Sequence, residues 1–238
     1  MRKKTLHKRA LTVESGEAGS KGEQTRSLIL ETALEMFGER GYEETTMRAI
    51  AEKAGVAPGA TYYHFRSKEH LIQAYYERMH EIHSESCAEL LKKERTLKGR
   101  LLGVMGQILE DMAPYHQFAG VLFKTAADPQ SPLNPFSSDS EPARRASIEL
   151  FAEVVKGAKA KIPPDLAAEL PALLWLYHMG MVLFWIHDDS SGQNRTRRLI
   201  EHTVEIVVRL IQLASLPPMR PLRKTVLKTL ADLRAATK

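Results

Sequence analysis

Apolar residues recur at three- and four-residue spacing along almost the whole chain, and no stretch shows the two-residue alternation of a strand. The pattern predicts an all-α fold. A first long helix is expected from about Gly22 to Arg40, with Leu28, Ile29, Ala33, Met36 and Phe37 on its inner face. Short helices are expected at Met47 to Ala54 and Pro58 to Phe65. A long one should run from Ser67 to about Lys93, burying Leu71, Ile72, Tyr75, Met79 and Ile82. Thr96 is placed to cap the next, and Pro114 fits the first turn of another. Asp128 to Pro142, with four prolines, reads as a loop. Helices follow at Ala143 to Lys161, Pro164 to His187 with a kink at Pro171, and Asn194 to Leu216. Pro217, Pro218 and Pro221 then break the chain before a basic segment, Leu222 to Ala236, whose Val226, Leu227, Leu230 and Leu233 share one apolar face. No internal repeat stands out.

The two short helices form the most informative stretch. Met47, Ile50, Ala51 and Ala54 fall at i, i+3, i+4, i+7, so they share one buried stripe. Thr45 or Thr46 supplies the N-cap oxygen. Gly55 stands where the chain must leave the helix with positive φ, and Val56 drops an apolar anchor into the turn. Pro58 fits a first helical turn because its missing N–H is not needed there. Two helices joined in this way can place the second in a DNA groove.

Phe37 and Gly41-Tyr42, Thr45-Thr46, Ile50-Ala51, Ala54-Gly55-Val56, Gly59, Tyr62, His64-Phe65 and Ser67-Lys68-Glu69 form an ordered set over about fifty residues. This set resembles the DNA-binding end of the tetracycline-repressor (TetR) family of bacterial transcription regulators. Three places depart from the usual pattern: Ala57 where a Ser or Thr caps the recognition helix, Pro58 where a polar residue is common, and Ala60-Thr61 where Thr/Ser-Leu is usual. The resemblance implies a three-helix DNA-binding domain over 21–66, followed by a larger helical domain for ligand binding and dimerisation over 67–216. A disordered basic arm is expected at 1–20 and a basic helix or tail at 217–238.

Composition agrees with a soluble regulator. The net charge is +5 over 238 residues, a mild bias that suits a polyanion. The single cysteine, Cys87, excludes an intramolecular disulfide and fits a reducing cytoplasm, which for a DNA-binding protein means association with the nucleoid. Ala10 to Val13 is too short for a signal-peptide core. The apolar run Pro171 to Ile186 carries His178 and is shorter than the ~18 residues of a membrane span. It reads as a buried helix, and no membrane partner is expected.

Phosphate contacts supply affinity and base edges supply specificity. The DNA-binding candidates are Thr46, Arg48, Pro58, Gly59, Ala60, Thr61, Tyr62, Tyr63, His64 and Lys68. By resemblance, a tyrosine hydroxyl and His64 reach phosphates. Pro58, Ala60 and Thr61 meet base edges, where their apolar surfaces favour thymine methyls. Lys68 would face an anion beside a helix N-terminus. Tyr62 and Tyr63 can divide the roles, one packed and one exposed. The basic arm is either a minor-groove reader or a solubilising tail.

The family implies a homodimer built on the last long helices. Leu199, Thr203, Ile206, Val207 and Leu210 on one side of Asn194–Leu216 are the interface candidates. A two-fold dimer implies double-stranded DNA with an inverted-repeat operator. The lining candidates for a small hydrophobic or amphipathic effector are Trp175, His178, Met179, Met181 and Trp185, with Tyr115, Phe118 and Phe123, any of which can instead be core. His80, His83 and Cys87 at i, i+3, i+7 can be metal ligands or ordinary helix residues. No cofactor is expected. Three functions remain open: a ligand-responsive repressor, a ligand-independent DNA-binding dimer, and a helical enzyme. The last lacks any nucleophile-base set, Walker loop or HExxH pair.

Overall fold

The computed structural model describes residues 20–235, and among them there is no strand. The expectation of a disordered arm therefore lies, Ser20 aside, outside the described residues. Helix α1 spans Lys21–Arg40 and opens with a capping box: Ser20 Oγ accepts from the Glu23 N–H, and Glu23 accepts in return from the Ser20 N–H. Helices α2 (Met47–Ala54) and α3 (Pro58–His64) follow, then α4 (Lys68–Lys93) and α5 (Leu97–Met112). A 3₁₀ turn at Ala113–Tyr115 leads into α6 (His116–Ala126), and α7 is Glu141–Lys156. The last three helices are α8 (Pro164–Ile186), α9 (Asn194–Ala214) and α10 (Arg220–Ala235).

The helices form two compact units. One holds the residues up to Met79 together with Asp111–Ala143, and the other holds His80–Glu110 with the residues from Arg144 onward. The continuous helix α4 contributes to both. In the first unit α1 packs on α2 and α6, burying Ile29, Ala33, Phe37, Ile50, Ala51 and Phe118. Leu28, expected inside, is 49% exposed, while Leu30 and Leu34 are buried instead. The inner face of α1 is thus rotated relative to the simplest stripe.

The second unit contains a buried charge. The Arg100 side chain on α5 is 2% exposed. Its Nε donates to the Val154 carbonyl at 2.9 Å and Nη2 to that of Glu153 at 2.6 Å; Nη1 donates to Leu91 at 2.6 Å and Glu94 at 2.8 Å. These carbonyls lie at the C-terminal ends of α4 and α7, where the helix dipole favours a cation; that of Glu153 also accepts from the Gly157 N–H at 3.2 Å. Burial lowers the Arg100 pKa, with Arg95 adding to the effect, yet an arginine starts so far above neutrality that it stays charged. Gly157 sits against the guanidinium, and a Cβ there would collide with Nη2. Helix α7 stops at Lys156 rather than running on to Lys161, and Arg100 caps the carbonyls of its last turn.

Asp188 plays a related part at the start of α9. It is 2% exposed and accepts from the Ser190 and Thr196 hydroxyls and from both of their backbone N–H groups. Burial pushes its carboxyl up, but these four donors outweigh burial and hold it well below the usual carboxylate range.

The proline-rich loop, expected to be irregular, contains a repeat that the chain pattern did not reveal. Asp128, Ser131 and Asn134 each precede a proline, and each side chain accepts from the N–H two residues on, at 2.9, 3.2 and 2.8 Å. Each of their carbonyls also accepts from the N–H three residues on, so three β-turns follow one another in a period of three. The loop ends sooner than expected, because Pro142 is tolerated in the first turn of α7.

Replacing Arg100 with Ala is expected to cost about 3–5 kcal/mol in urea unfolding, since the Leu91, Glu94 and Val154 carbonyls lose their donor. Gly157→Ala should also destabilise, and a cost below about 1 kcal/mol for both would show that the clamp is dispensable. The Asp188→Asn variant should be less stable than the parent near neutrality. Because the folded-state pKa of Asp188 is depressed, its contribution is present above the unfolded value and is lost as pH falls below about 4. The gap between the two proteins in thermal melts should therefore narrow on acidification, and a constant gap would assign the effect to shape alone.

Candidate functional site

The turn between α2 and α3 follows from local chemistry. Thr46 caps α2, its Oγ1 accepting from the Ala49 N–H at 3.1 Å. Thr45 is fully buried, and its hydroxyl donates to the Gly41 carbonyl at 2.8 Å, pinning the preceding turn to the end of α1. Gly55 has φ 67° and ψ 30°, the left-handed conformation that lets α2 end and the chain reverse. Val56 is half-buried in the turn. Ala57 gives α3 no side-chain cap, as its departure from the family pattern implies.

The structure divides the DNA-binding candidates by exposure. Thr46, Arg48, Pro58 and Gly59 are exposed, and Tyr62 and Tyr63 are 51% and 84% exposed. A Cβ at Gly59 would meet nothing within 4 Å, so that point of α3 is open to close approach. Ala60 is half-buried, as is His64, whose ring lies edge-on to Tyr63 at 5.1 Å. Both tyrosines project outward, rather than one being packed. Phe65 fills the inward position, with the Arg26 guanidinium 5.0 Å from its ring centroid.

Two candidates are corrected. Thr61 is fully buried, since the period of α3 turns it toward the core, so it cannot meet a base edge. Its hydroxyl has no hydrogen-bond partner among the described residues. Lys68 is drawn back onto the protein: Nζ donates to the Tyr42 carbonyl at 2.6 Å and lies 4.3 Å from the Tyr42 ring centroid. Its neighbour Glu69 accepts from the Tyr42 hydroxyl at 2.7 Å. Burial raises the Tyr42 pKa, and the Glu69 carboxylate adds to the shift, so the phenol remains a donor at neutral pH. Tyr42 is thereby held to the first turn of α4 from two sides. Arg66 went unnoticed in the sequence; it is exposed beside the C-terminus of α3 and has no ion-pair partner among the described residues.

The effector-lining candidates are divided between the two units. In the first unit, Phe118 is 3% exposed and packs 5.0 Å from Tyr75 and 6.1 Å from Phe37. Tyr115 is half-buried edge-on to Tyr75, and Phe123 is half-buried. In the second unit, Trp175 and Trp185 are buried in the core, whereas His178, Met179 and Met181 are half-buried. Phe118, Trp175 and Trp185 are therefore packing residues. The His178 ring lies 5.7 Å from Phe151, and burial, with His83 adding, pushes its pKa down to about 3. It is a neutral hydrogen-bonding group at physiological pH. Cys87 on α4 is fully buried, and among the described residues no group of three or more His, Cys, Asp or Glu is arranged to hold a metal ion.

Helix α8 is not the buried helix expected. It is 23 residues long, and only 22% of its most apolar stretch is buried. By length and composition it could cross a membrane. Being apolar on every side, it turns Leu174, Trp175 and Trp185 inward and leaves Leu176, Leu183 and Phe184 exposed. On α9, Thr196, Ile200, Val204, Val208 and Ile211 face the core. Of the interface candidates, Ile206 and Leu210 are 55% and 58% exposed, while Leu199, Thr203 and Val207 are half-buried. The Thr203 hydroxyl meets Tyr177 at 2.6 Å within the chain. Leu213, also exposed, extends the outward row by a further turn.

An all-helical chain with a capped helix-turn-helix at one end defines a helix-turn-helix regulator by class. Residues 29–75 match the bacterial regulatory proteins of the tetR family, and residues 100–231, more than half the chain, match the tetracyclin repressor-like C-terminal domain. The protein belongs to the TetR family, and its amino-terminal end is that family's DNA-binding helix-turn-helix domain. The HTH-type transcriptional regulator TtgR of Pseudomonas putida is 46% identical over 61 residues, which are 26% of this chain and 29% of that protein. UidR of Escherichia coli K12 is 44% identical over 55 residues, 23% of this chain and 28% of that one. The chain thus matches less than a third of the length of these relatives. In fold it is similar to a TetR-family regulator structure from Syntrophomonas wolfei, with a TM-score of 0.65 at 17% identity, covering 79% of this chain and 96% of that one. FadR from Bacillus subtilis, solved in complex with stearoyl-CoA, gives a TM-score of 0.60 at 19% identity, covering 75% and 96%.

The unsatisfied hydroxyl of Thr61 yields a prediction. Thr61→Val keeps the shape and removes a buried group without a partner, so it should stabilise the fold by about 1 kcal/mol in urea unfolding. A loss of stability instead would mean that the hydroxyl finds a donor or acceptor in solution.

Proposed function

We propose that this protein is a dimeric, effector-responsive transcriptional repressor that binds an inverted-repeat operator in the cytoplasm and is released by a small hydrophobic or amphipathic effector. The observation that carries the reading is the outward set on α2 and α3: Arg48, Pro58, Gly59, Tyr62 and Tyr63, all exposed at the DNA-binding end of a TetR-family chain. In this reading Pro58 and Ala60 meet base edges, with thymine methyls the favoured contact. The Tyr62 and Tyr63 hydroxyls, His64, Arg48 and Arg66 meet phosphates, and Gly59 lets the backbone come close. Lys68 supports recognition indirectly, by holding Tyr42 to α4.

The dimer is supported by the outward apolar residues Leu176, Leu183, Phe184, Ile206, Leu210 and Leu213, which one chain leaves in water. Two-fold symmetry then sets the recognition helices about one DNA turn, roughly 34–36 Å, or a multiple apart. A partner copy explains the apolar surface of α8 without a membrane. The effector is supported by half-buried His178, Met179 and Met181, a polarisable group with one neutral polar handle. The stearoyl-CoA bound by FadR, a protein of similar fold, favours a similar ligand chemistry here. Helix α4 is the continuous element through which an effector would act, and a differential affinity of a few kcal/mol is sufficient to change operator occupancy. The packing of Phe118, Trp175 and Trp185 favours a second reading, in which the dimer binds DNA without an effector.

Selection of random duplexes on the purified protein at stated salt should enrich an inverted repeat. Tyr63→Ala, an exposed position, should lower affinity for that repeat at least tenfold without lowering the melting temperature. Absence of any enriched repeat from a folded dimer would overturn the operator reading. A melting temperature that no hydrophobic or amphipathic compound raises would favour the second reading.

A further inference from the structure

Among the described side chains of helix α10, one face packs on the chain and a neighbouring apolar pair is left exposed. Arg223 fixes the rotation of the helix: its side chain is 9% exposed, with Nε 3.0 Å from Asp165 Oδ2 and Nη1 donating to the Ala214 carbonyl at 2.6 Å. Leu227, four residues on and therefore on the same face, is half-buried against its own chain. Leu222 and Val226 form the neighbouring row, turned by about 100°. They are 57% and 48% exposed. Lys224 and Lys228 lie across the helix from that row and are exposed, so covering Leu222 and Val226 would leave both ammonium groups in water.

The free row continues another. Ile206, Leu210 and Leu213 leave α9 exposed, and Leu216, 50% exposed, carries the line to the 3₁₀ turn at Pro217–Met219 that opens α10. The bond from Arg223 to Ala214 holds the first turn of α10 beside the end of α9, where Leu213 and Leu216 stand. A stable interface takes roughly 20–30 residues from each side. Towards that number α8 and α9 supply six exposed large apolar residues, Leu176, Leu183, Phe184, Ile206, Leu210 and Leu213.

We infer that Leu216, Leu222 and Val226 pack on a second copy of this chain, so that α10 is an arm extending the dimer interface beyond α8 and α9. This rests on the dimer reading above. Arg223 then anchors the arm in the orientation that presents Leu222 and Val226 to the partner, and Asp165 on α8 fixes the anchor.

The test is sedimentation equilibrium on three full-length proteins: the parent, Leu222→Ser with Val226→Ser, and Leu210→Glu. Both altered sites are exposed in the single chain, and far-UV circular dichroism checks that the helices remain. The expected result is a monomeric Leu210→Glu protein and a dimer dissociation constant raised at least tenfold by the serine pair. A monomeric Leu210→Glu protein with an unchanged constant for the serine pair would overturn the arm and leave the α8–α9 dimer standing. If neither variant weakens association, the dimer reading itself fails. Binding of the parent to vesicles with anionic headgroups, lost in the serine pair while the dimer constant stays unchanged, would also overturn the arm and assign the row to a lipid surface.

Discussion

The buried guanidinium of Arg100 is the constraint on which the second unit depends. Burying a charge costs several kcal/mol unless it is well hydrogen-bonded, and four carbonyl oxygens meet that demand. Each acceptor belongs to the last turn of a helix or the residue just past it, so one side chain resolves the ends of both α4 and α7. The arrangement requires Gly157, which follows the last residue of α7. Glu94 adds a local brace, accepting from the Arg95 and Thr96 N–H groups at 2.7 Å as the chain turns into α5.

The other end of α4 is held differently. Lys68 and Glu69 grip the carbonyl, ring and hydroxyl of Tyr42, tying the helix to the turn that precedes α2. Thus α4 is secured near both ends by polar contacts with fixed directions, and between them Arg78 pairs with Glu31 on α1 while Gln73 donates to the Ser140 hydroxyl. The apolar surfaces of α8 and α9 behave in the opposite sense: they satisfy no directional need within the chain and gain only from being covered.

Much of the helix-turn-helix was legible in the sequence because its determinants are local. The bounds of α2 follow from Thr46, the stripe from Met47 to Ala54, and Gly55, each of which acts within a few residues. The failures share a cause: the deciding partner lies far away in the chain. Thr61 and Tyr62 are adjacent polar residues, and only the packing of α3 on its neighbours tells which is buried. Lys68 carries a charge suited to phosphate, but Tyr42 lies 26 residues earlier and takes it first. Nothing local marks Arg100 as buried, since its acceptors come from α4 and α7. Helix α8 is apolar all round, so its periodicity cannot say which side faces the core. The aromatic residues proposed as one lining belong to different units for the same reason.

The turn staircase from Asp128 to Ser137 limits how this loop can change in length. Most surface loops absorb insertions of any size, because their ends simply need to be spanned. Here Asp128, Ser131 and Asn134 each set a proline at the next position and a hydrogen-bond acceptor for the residue after it, so the loop has a phase. One residue added directly after Ser131 would put Pro132 where the amide of Leu133 is needed and displace that buried side chain. A whole proline-containing triplet would only lengthen the staircase. Length change in this segment is therefore easiest in threes, and a connection that looks irregular by composition has a period of its own.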